Sequence, residues 1–199
     1  MATIVAYGAA VVLITLLTGY TLMANTALEF REALAQCRGI FEKKLQDYGA
    51  SWRIMRPCSI TDQIYIKAKR IRTLETERES MVDEGILPEF IAIVNYGIVG
   101  LIQLQLGYVD APDMDAAQAL ALYDEWADST FNLMLAKNHD YGEAWRSMRV
   151  YSYTDLILTK LARTKQIEDH QGVTVVSEGI DANYMDIINY AVFAIIKLS

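Results

Sequence analysis

A chain of 199 residues with a formal net charge of −7 and pI ≈ 4.9 is long enough for one domain or two small ones. It lacks the net basic balance that marks a binder of polymeric nucleic acid. Its two cysteines, Cys37 and Cys58, and its two histidines, His139 and His170, are too few for a zinc site and indicate a reduced, intracellular protein rather than a disulfide scaffold.

Residues 1–25 form an apolar segment with no charge, and Thr3 to Ala24 is long enough for a bilayer core, which about 20 residues cross as a helix. A basic leader region and a small-residue cleavage site are both missing, so a secretory signal is disfavoured. Two readings follow. In one, the segment is a transmembrane helix, and Arg31, Arg38, Lys43 and Lys44 behind it place the remainder on the cytoplasmic side of the inner membrane. In the other, translation starts at Met23 and the protein is cytoplasmic.

From Leu28 the apolar residues recur at i, i+3, i+4 through Leu45, predicting a helix that Gly49 ends. The S-x-x-D runs Ser59 to Asp62 and Ser152 to Asp155 predict capped helices over about 62–80 and 155–170. Pro88 opens a third helix reaching Leu106, Gly107 to Asp113 reads as a linker, and further helices are predicted from Met114 to Lys137 and from Asp181 to Leu198. With strand-like alternation scarce, the expected fold is all-α: a helical bundle of two similar three-helix halves.

Two halves are expected because the chain repeats itself. Asp47-Tyr48-Gly49-x-x-Trp52-Arg53-x-Met55-Arg56 returns as Asp140-Tyr141-Gly142-x-x-Trp145-Arg146-x-Met148-Arg149, a shift of 140 − 47 = 93 positions. The same register joins Ser59, Thr61, Asp62, Lys67, Arg70 and Glu75 to Ser152, Thr154, Asp155, Lys160, Arg163 and Glu168. After one inserted residue, Glu84-Gly85-Ile86 matches Glu178-Gly179-Ile180, and Asn95-Tyr96 matches Asn189-Tyr190. A repeat this long is a duplicated domain-sized unit, beyond solenoid periods of about 20–50 residues. It divides the chain into the apolar segment 1–25, a first repeat 26–106, a linker 107–113 and a second repeat 114–199, with the repeats related by a pseudo-twofold axis.

The copies keep basic residues, which suits a small anionic ligand. Arg53 with Arg56 and Arg146 with Arg149 lie three apart, as do Lys67 with Arg70 and Lys160 with Arg163; on a helix such pairs share a face, and arginine forks match phosphate oxygens. All eight are candidate phosphate ligands, with salt bridges as the structural alternative. On the last helix Asn183, Asp186 and Asn189 make an i, i+3, i+6 stripe among apolar residues, where buried polar groups need partners. Asn183, Asn189 and the matched Asn95 are candidate base-binding amides. Asp186 and Glu178 are the candidate catalytic and metal-binding carboxylates, for Mg²⁺, and the stripe's alternative role is a polar seam that fixes helix register. The first half departs from the pattern, with Glu89 in place of Asn183 and Ala92 in place of Asp186, so a site built on Asp186 is expected to be single or shared asymmetrically between the halves.

The run Lys137-x-x-Asp140-Tyr141-Gly142-x-x-Trp145-Arg146, then Lys160-Leu161-x-Arg163, then Glu178-Gly179-x-x-x-Asn183-Tyr184-x-Asp186-x-x-Asn189-Tyr190, resembles the nucleotide modification associated domain 1 family over roughly Ala33 to Leu198. The resemblance implies a nucleotide-processing protein acting on a phosphorylated nucleotide or nucleotide-like small molecule. Two function classes follow. One is Mg²⁺-dependent hydrolysis of a nucleoside triphosphate or similar metabolite, in which carboxylates hold the ion and basic residues neutralise the phosphates; Glu178-x-x-Asp181 is similar to one carboxylate element of all-α pyrophosphatases. The other is a non-catalytic nucleotide-binding or regulatory module in a modification or synthesis pathway. A membrane partner enters only if residues 1–25 span a bilayer.

Overall fold

A computed structural model describes residues 2–77, 85–176 and 178–199, with side chains from Asn25 onward. Its described residues form six α-helices: α1 (Ala2–Tyr48), α2 (Pro57–Thr76), α3 (Leu87–Leu106), α4 (Ala116–Tyr141), α5 (Val150–Asp169) and α6 (Ile180–Leu198), with short 3-10 turns at Ser51–Ile54 and Ala144–Ser147. Three helices thus fall in each repeat. Glu84 of the matched Glu-Gly-Ile motif lies outside the described residues.

Helix ends follow local chemistry. Gly49 (φ 62°) and Gly142 (φ 59°) stop α1 and α4 in the left-handed region, which glycine enters without a Cβ penalty. The start of α4 is a capping box: Asp115 accepts from the Gln118 amide at 2.8 Å and Gln118 accepts from the Asp115 amide at 3.0 Å. The S-x-x-D caps, in contrast, are corrected by the structure. The amides of Ser59 and Ser152 already donate to the carbonyls of Arg56 and Arg149, each at 3.0 Å. Both serines therefore sit inside helices that begin at Pro57 and Val150. Pro57 supplies the preset φ of a first helical turn. Helix α1 runs unbroken from Ala2 through the apolar segment into the first repeat.

Helices α3 and α6 form the centre. Phe90, Ile93, Val94, Ile98 and Leu101 on α3 and Ile187, Ile188, Ala191, Val192 and Ile195 on α6 are buried. Length and mean hydropathy alone would let α3 cross a membrane, but most of it lies inside the bundle. The two helices approach closely because α3 carries glycines at the crossing: a Cβ on Gly97 would lie 2.6 Å from Ile188, and one on Gly100 would lie 2.9 Å from the Tyr184 ring.

Each helix packs on its counterpart in the other repeat, α1 on α4, α2 on α5 and α3 on α6. Between α2 and α5 the polar contacts are reciprocal. Thr61 donates to Glu168 at 2.6 Å and Thr154 donates to Glu75 at 2.9 Å. Lys165 pairs with Asp62 at 2.6 Å and Arg72 with Asp155 at 3.2 Å. Residue i meeting j while the equivalent of j meets the equivalent of i is the signature of an isologous contact, here formed within one chain.

Candidate functional site

The repeated Trp-Arg segment forms the floor of a pocket in each half. Trp52 and Trp145 are buried, and the last helix of each repeat clasps its turn: Gln103 donates to the Arg53 carbonyl at 3.0 Å, and Lys197, at the equivalent position, donates to the Arg146 carbonyl at 2.7 Å. Tyr153 adds a bond to the Trp145 carbonyl at 2.5 Å. Above each turn, between the C-terminal part of α1 or α4 and the middle of α3 or α6, a cavity opens. The first measures about 340 Å³ and the second about 250 Å³. Their linings are equivalent under the repeat, with Lys44, Tyr48, Trp52, Asn95 and Tyr96 in one matched by Lys137, Tyr141, Trp145, Asn189 and Tyr190 in the other.

Chemically the second pocket is the richer. Its aromatic wall includes Trp145 stacked on Phe193, with ring centroids 4.5 Å apart and an interplanar angle of 11°. Among the described residues the Trp145 indole N–H has no hydrogen-bond partner, nor does Oδ1 of Asn189, a residue only 4% exposed. The cause of the second vacancy is visible in the first half, where the Tyr123 hydroxyl donates to Asn95 Oδ1 at 2.8 Å while Asn95 donates to the Cys37 carbonyl at 3.1 Å. Tyr123 is matched by Phe30 in the repeat register, and a phenyl ring has no proton to give to Asn189. A buried acceptor without a donor costs about 1–3 kcal/mol, and a ligand that supplies the donor recovers it.

Asp186, also buried, closes one side of this pocket and is held by two ammonium groups: Lys137 on one oxygen, and Lys160 on the other at 2.7 Å. Burial acts to lower the Lys137 pKa, but the bond to Asp186 and the nearby charge of Glu178 outweigh it and hold the ammonium above its ordinary value. Burial raises the Tyr190 hydroxyl, which also feels the negative charge of Asp186 and the positive charges of Lys137 and Arg163. Behind Asp186 lies an open groove of about 560 Å³, lined by Lys160, Arg163, His170, Glu178 and Asn183 among others. An aromatic pocket and a basic groove therefore meet across one carboxylate.

The structure separates the other predicted residues. Arg53 is buried, with its guanidinium on Asp113 at 2.8 Å, the Gly107 carbonyl at 2.6 Å and Gln103; it fastens the linker. Arg146 ties α1 to the second turn through Glu29 at 2.6 Å, Glu143 at 2.8 Å and Thr26 at 2.7 Å. Arg56 and Arg149 are exposed and lie over Tyr108 and Tyr151. The arginine pairs therefore do not converge on one anion: after the 3-10 turn the chain is extended at Met55 and Arg56, so one arginine turns inward and the other outward. Lys67, at 3.2 Å, and Arg70 both bind buried Glu89. Asn183 donates to the Gly179 carbonyl of its own helix at 2.8 Å and faces the groove.

The expected Mg²⁺ does not fit Asp186, whose two oxygens already face ammonium groups that would repel a dication. No group of three or more His, Cys, Asp or Glu side chains suited to a metal occurs among the described residues. Lys137, Tyr141, Trp145, Tyr190 and Phe193 were not singled out as ligand contacts from sequence. The available signal was the matched Asp-Tyr-Gly-x-x-Trp motif, which ends one helix and supplies two walls of a cavity.

The family model of nucleotide modification associated domain 1 matches residues 44–104 and again residues 137–198, together more than half of the chain. No curated protein and no solved structure matches it.

Proposed function

The chain belongs to the nucleotide modification associated domain 1 family, and we propose from this premise that its second repeat binds a phosphorylated nucleotide or nucleotide-like metabolite. The base enters the pocket beside Trp145, Asn189 and Asp186, and the phosphates lie toward Lys160 and Arg163. The carrying observation is a pair of buried groups without partners among the described residues, the Asn189 amide oxygen and the Trp145 indole N–H, on two residues that line one aromatic cavity. A heterocycle edge with adjacent donors and acceptors answers both. The pocket's 250 Å³ lies below the roughly 300–1,000 Å³ of sites that enclose a drug-sized ligand, so it suits a base while the remainder of a nucleotide extends over the basic groove.

Binding is the step this geometry supports most directly. Hydrolysis needs in addition a group that activates water and a counter-charge for the leaving phosphates, and Asp186 is neutralised by its lysines. A thermal-shift screen of nucleotides with and without Mg²⁺ tests the reading, since a ligand that binds only the folded state raises the melting temperature. Asn189→Leu is the sharpest variant: it removes an unsatisfied buried acceptor, so the free protein keeps or gains stability while nucleotide affinity falls about tenfold or more. Equal nucleotide binding by this variant and the parent would overturn the assignment. Release of phosphate or pyrophosphate that requires Mg²⁺ and disappears in Asp186→Asn would establish the hydrolytic alternative.

A further inference from the structure

The first-half pocket shares its architecture with the second but differs in the polar groups it leaves available. Ala92 stands where the second half has Asp186, so Lys44, the counterpart of Lys137, is exposed and has no ion-pair partner among the described residues. Asn95, which could offer an acceptor, is committed to Tyr123 and Cys37. Trp52 is 8% exposed and its indole N–H has no acceptor among the described residues. The walls are otherwise largely apolar, with Phe41, Leu45, Ile54, Met55 and Val99 prominent. An ammonium at the rim, a lining tryptophan whose buried indole N–H lacks an acceptor among the described residues, and a committed amide make this cavity a donor site.

We propose that the first-half pocket is a second ligand site, for a planar aromatic monoanion such as an aromatic or heterocyclic carboxylate. The ring replaces water against the apolar walls, and the anionic edge takes the Lys44 ammonium and the Trp52 N–H. One charge is specified because Lys44 is the single basic side chain among the described residues lining the cavity, and a polyphosphate would leave most of its charge without a counter-ion. A second copy of the nucleotide site is disfavoured by the same residues, since the free amide acceptor and the acid of the second pocket are both missing. The inference stands apart from the nucleotide reading and uses none of its residues.

Isothermal titration of the full chain with 2-naphthoate, and with neutral 2-naphthamide as control, tests it. The expected result is one naphthoate site of at least about tenfold higher affinity than the amide, quenching of tryptophan fluorescence, and loss of about tenfold in Lys44→Met. Ala92→Asp, which installs the second half's acid beside Lys44, gives a similar loss. Trp52→Phe keeps the ring and weakens binding by several-fold through the missing donor. Asn189→Leu leaves naphthoate binding unchanged. The proposal is overturned if naphthoate does not bind, if Lys44→Met binds it as well as the parent, or if Asn189→Leu abolishes it, which would put the probe in the other pocket. Lys44 is exposed, so its replacement threatens no core packing.

Discussion

The last helix of each repeat carries one buried acid facing the basic residues, but the two acids occupy different turns. In the second half it is Asp186, which takes Lys137 from α4 and Lys160 from α5. In the first half it is Glu89, matched to Asn183 one turn earlier, and it takes Lys67 and Arg70, both from α2. Moving a carboxylate by three residues along a helix thus decides which cation has no acidic partner among the described residues: Lys44 beside the first pocket, Arg163 beside the second groove. The same fold, duplicated, presents a cavity with a free ammonium on one side and a cavity with a neutralised acid on the other.

If the two Trp-Arg turns are equivalent structural anchors beneath these different cavities, the largest effects should be the same in both halves. Trp52→Ala and Trp145→Ala are each expected to cost about 3–5 kcal/mol, the range for emptying a large aromatic site in a core. Urea denaturation measures this. A half that tolerates the loss would show that its turn is held by the helices alone, and the equivalence would be broken.

The crossing of α3 and α6 is where the halves should respond unequally. α3 has Gly97 and Gly100 where α6 has Ala191 and Ala194. Gly100→Ala places a methyl 2.9 Å from the Tyr184 ring, and Tyr184 is pinned by its hydroxyl, 2.7 Å from Thr61. The ring cannot swing away freely, so an overpacking cost of about 1–3 kcal/mol is expected, against a gain of up to about 1 kcal/mol in helix propensity. Net stabilisation in a thermal melt would mean that the crossing adjusts.

How much of this was legible in the chain depended on how far the partners lie from each other. The helix stop at Gly49 and the start near Pro88 rest on single residues and their neighbours, and the structure has them there. Periodicity, Pro88 and the S-x-x-D runs are all local signals of the helices, although the last of these lie inside α2 and α5 rather than capping them. The pairing of Lys165 with Asp62 spans 103 residues, and that of Thr61 with Glu168 spans 107; no local window contains both ends. Arg72 and its counterpart Lys165 therefore join α2 to α5 through partners that no local reading finds. The candidate site on α6 was partly legible as a polar stripe, because Asn189 and Asp186 stand out in an apolar helix. Its openness was not, since the vacancy at Asn189 depends on Phe30 replacing a tyrosine on another helix.

The smallest expected effect probes the reciprocal contact itself, through its response to pH. Burial raises the carboxyl pKa of Glu75 and of Glu168, and the hydrogen bonds from Thr154 and Thr61 only partly offset it. A carboxyl whose folded-state pKa lies above its unfolded value, about 4.3 for glutamate, binds its proton more tightly in the folded chain. The stabilisation from that proton is fully present below the unfolded value and is lost as pH rises through the folded pKa. Both residues should therefore make stability decline from about pH 4 towards neutrality. Glu75→Gln and Glu168→Gln keep a carbonyl oxygen for the threonine and remove the titration. Each variant should match the parent near pH 4 and be slightly more stable than it at pH 7, by similar amounts, with urea midpoints recorded across that range. Unchanged slopes would mean that the carboxylates reach solvent on ionising. Flattening in one variant alone would show that the two crossings, although reciprocal in geometry, are not equivalent in energy.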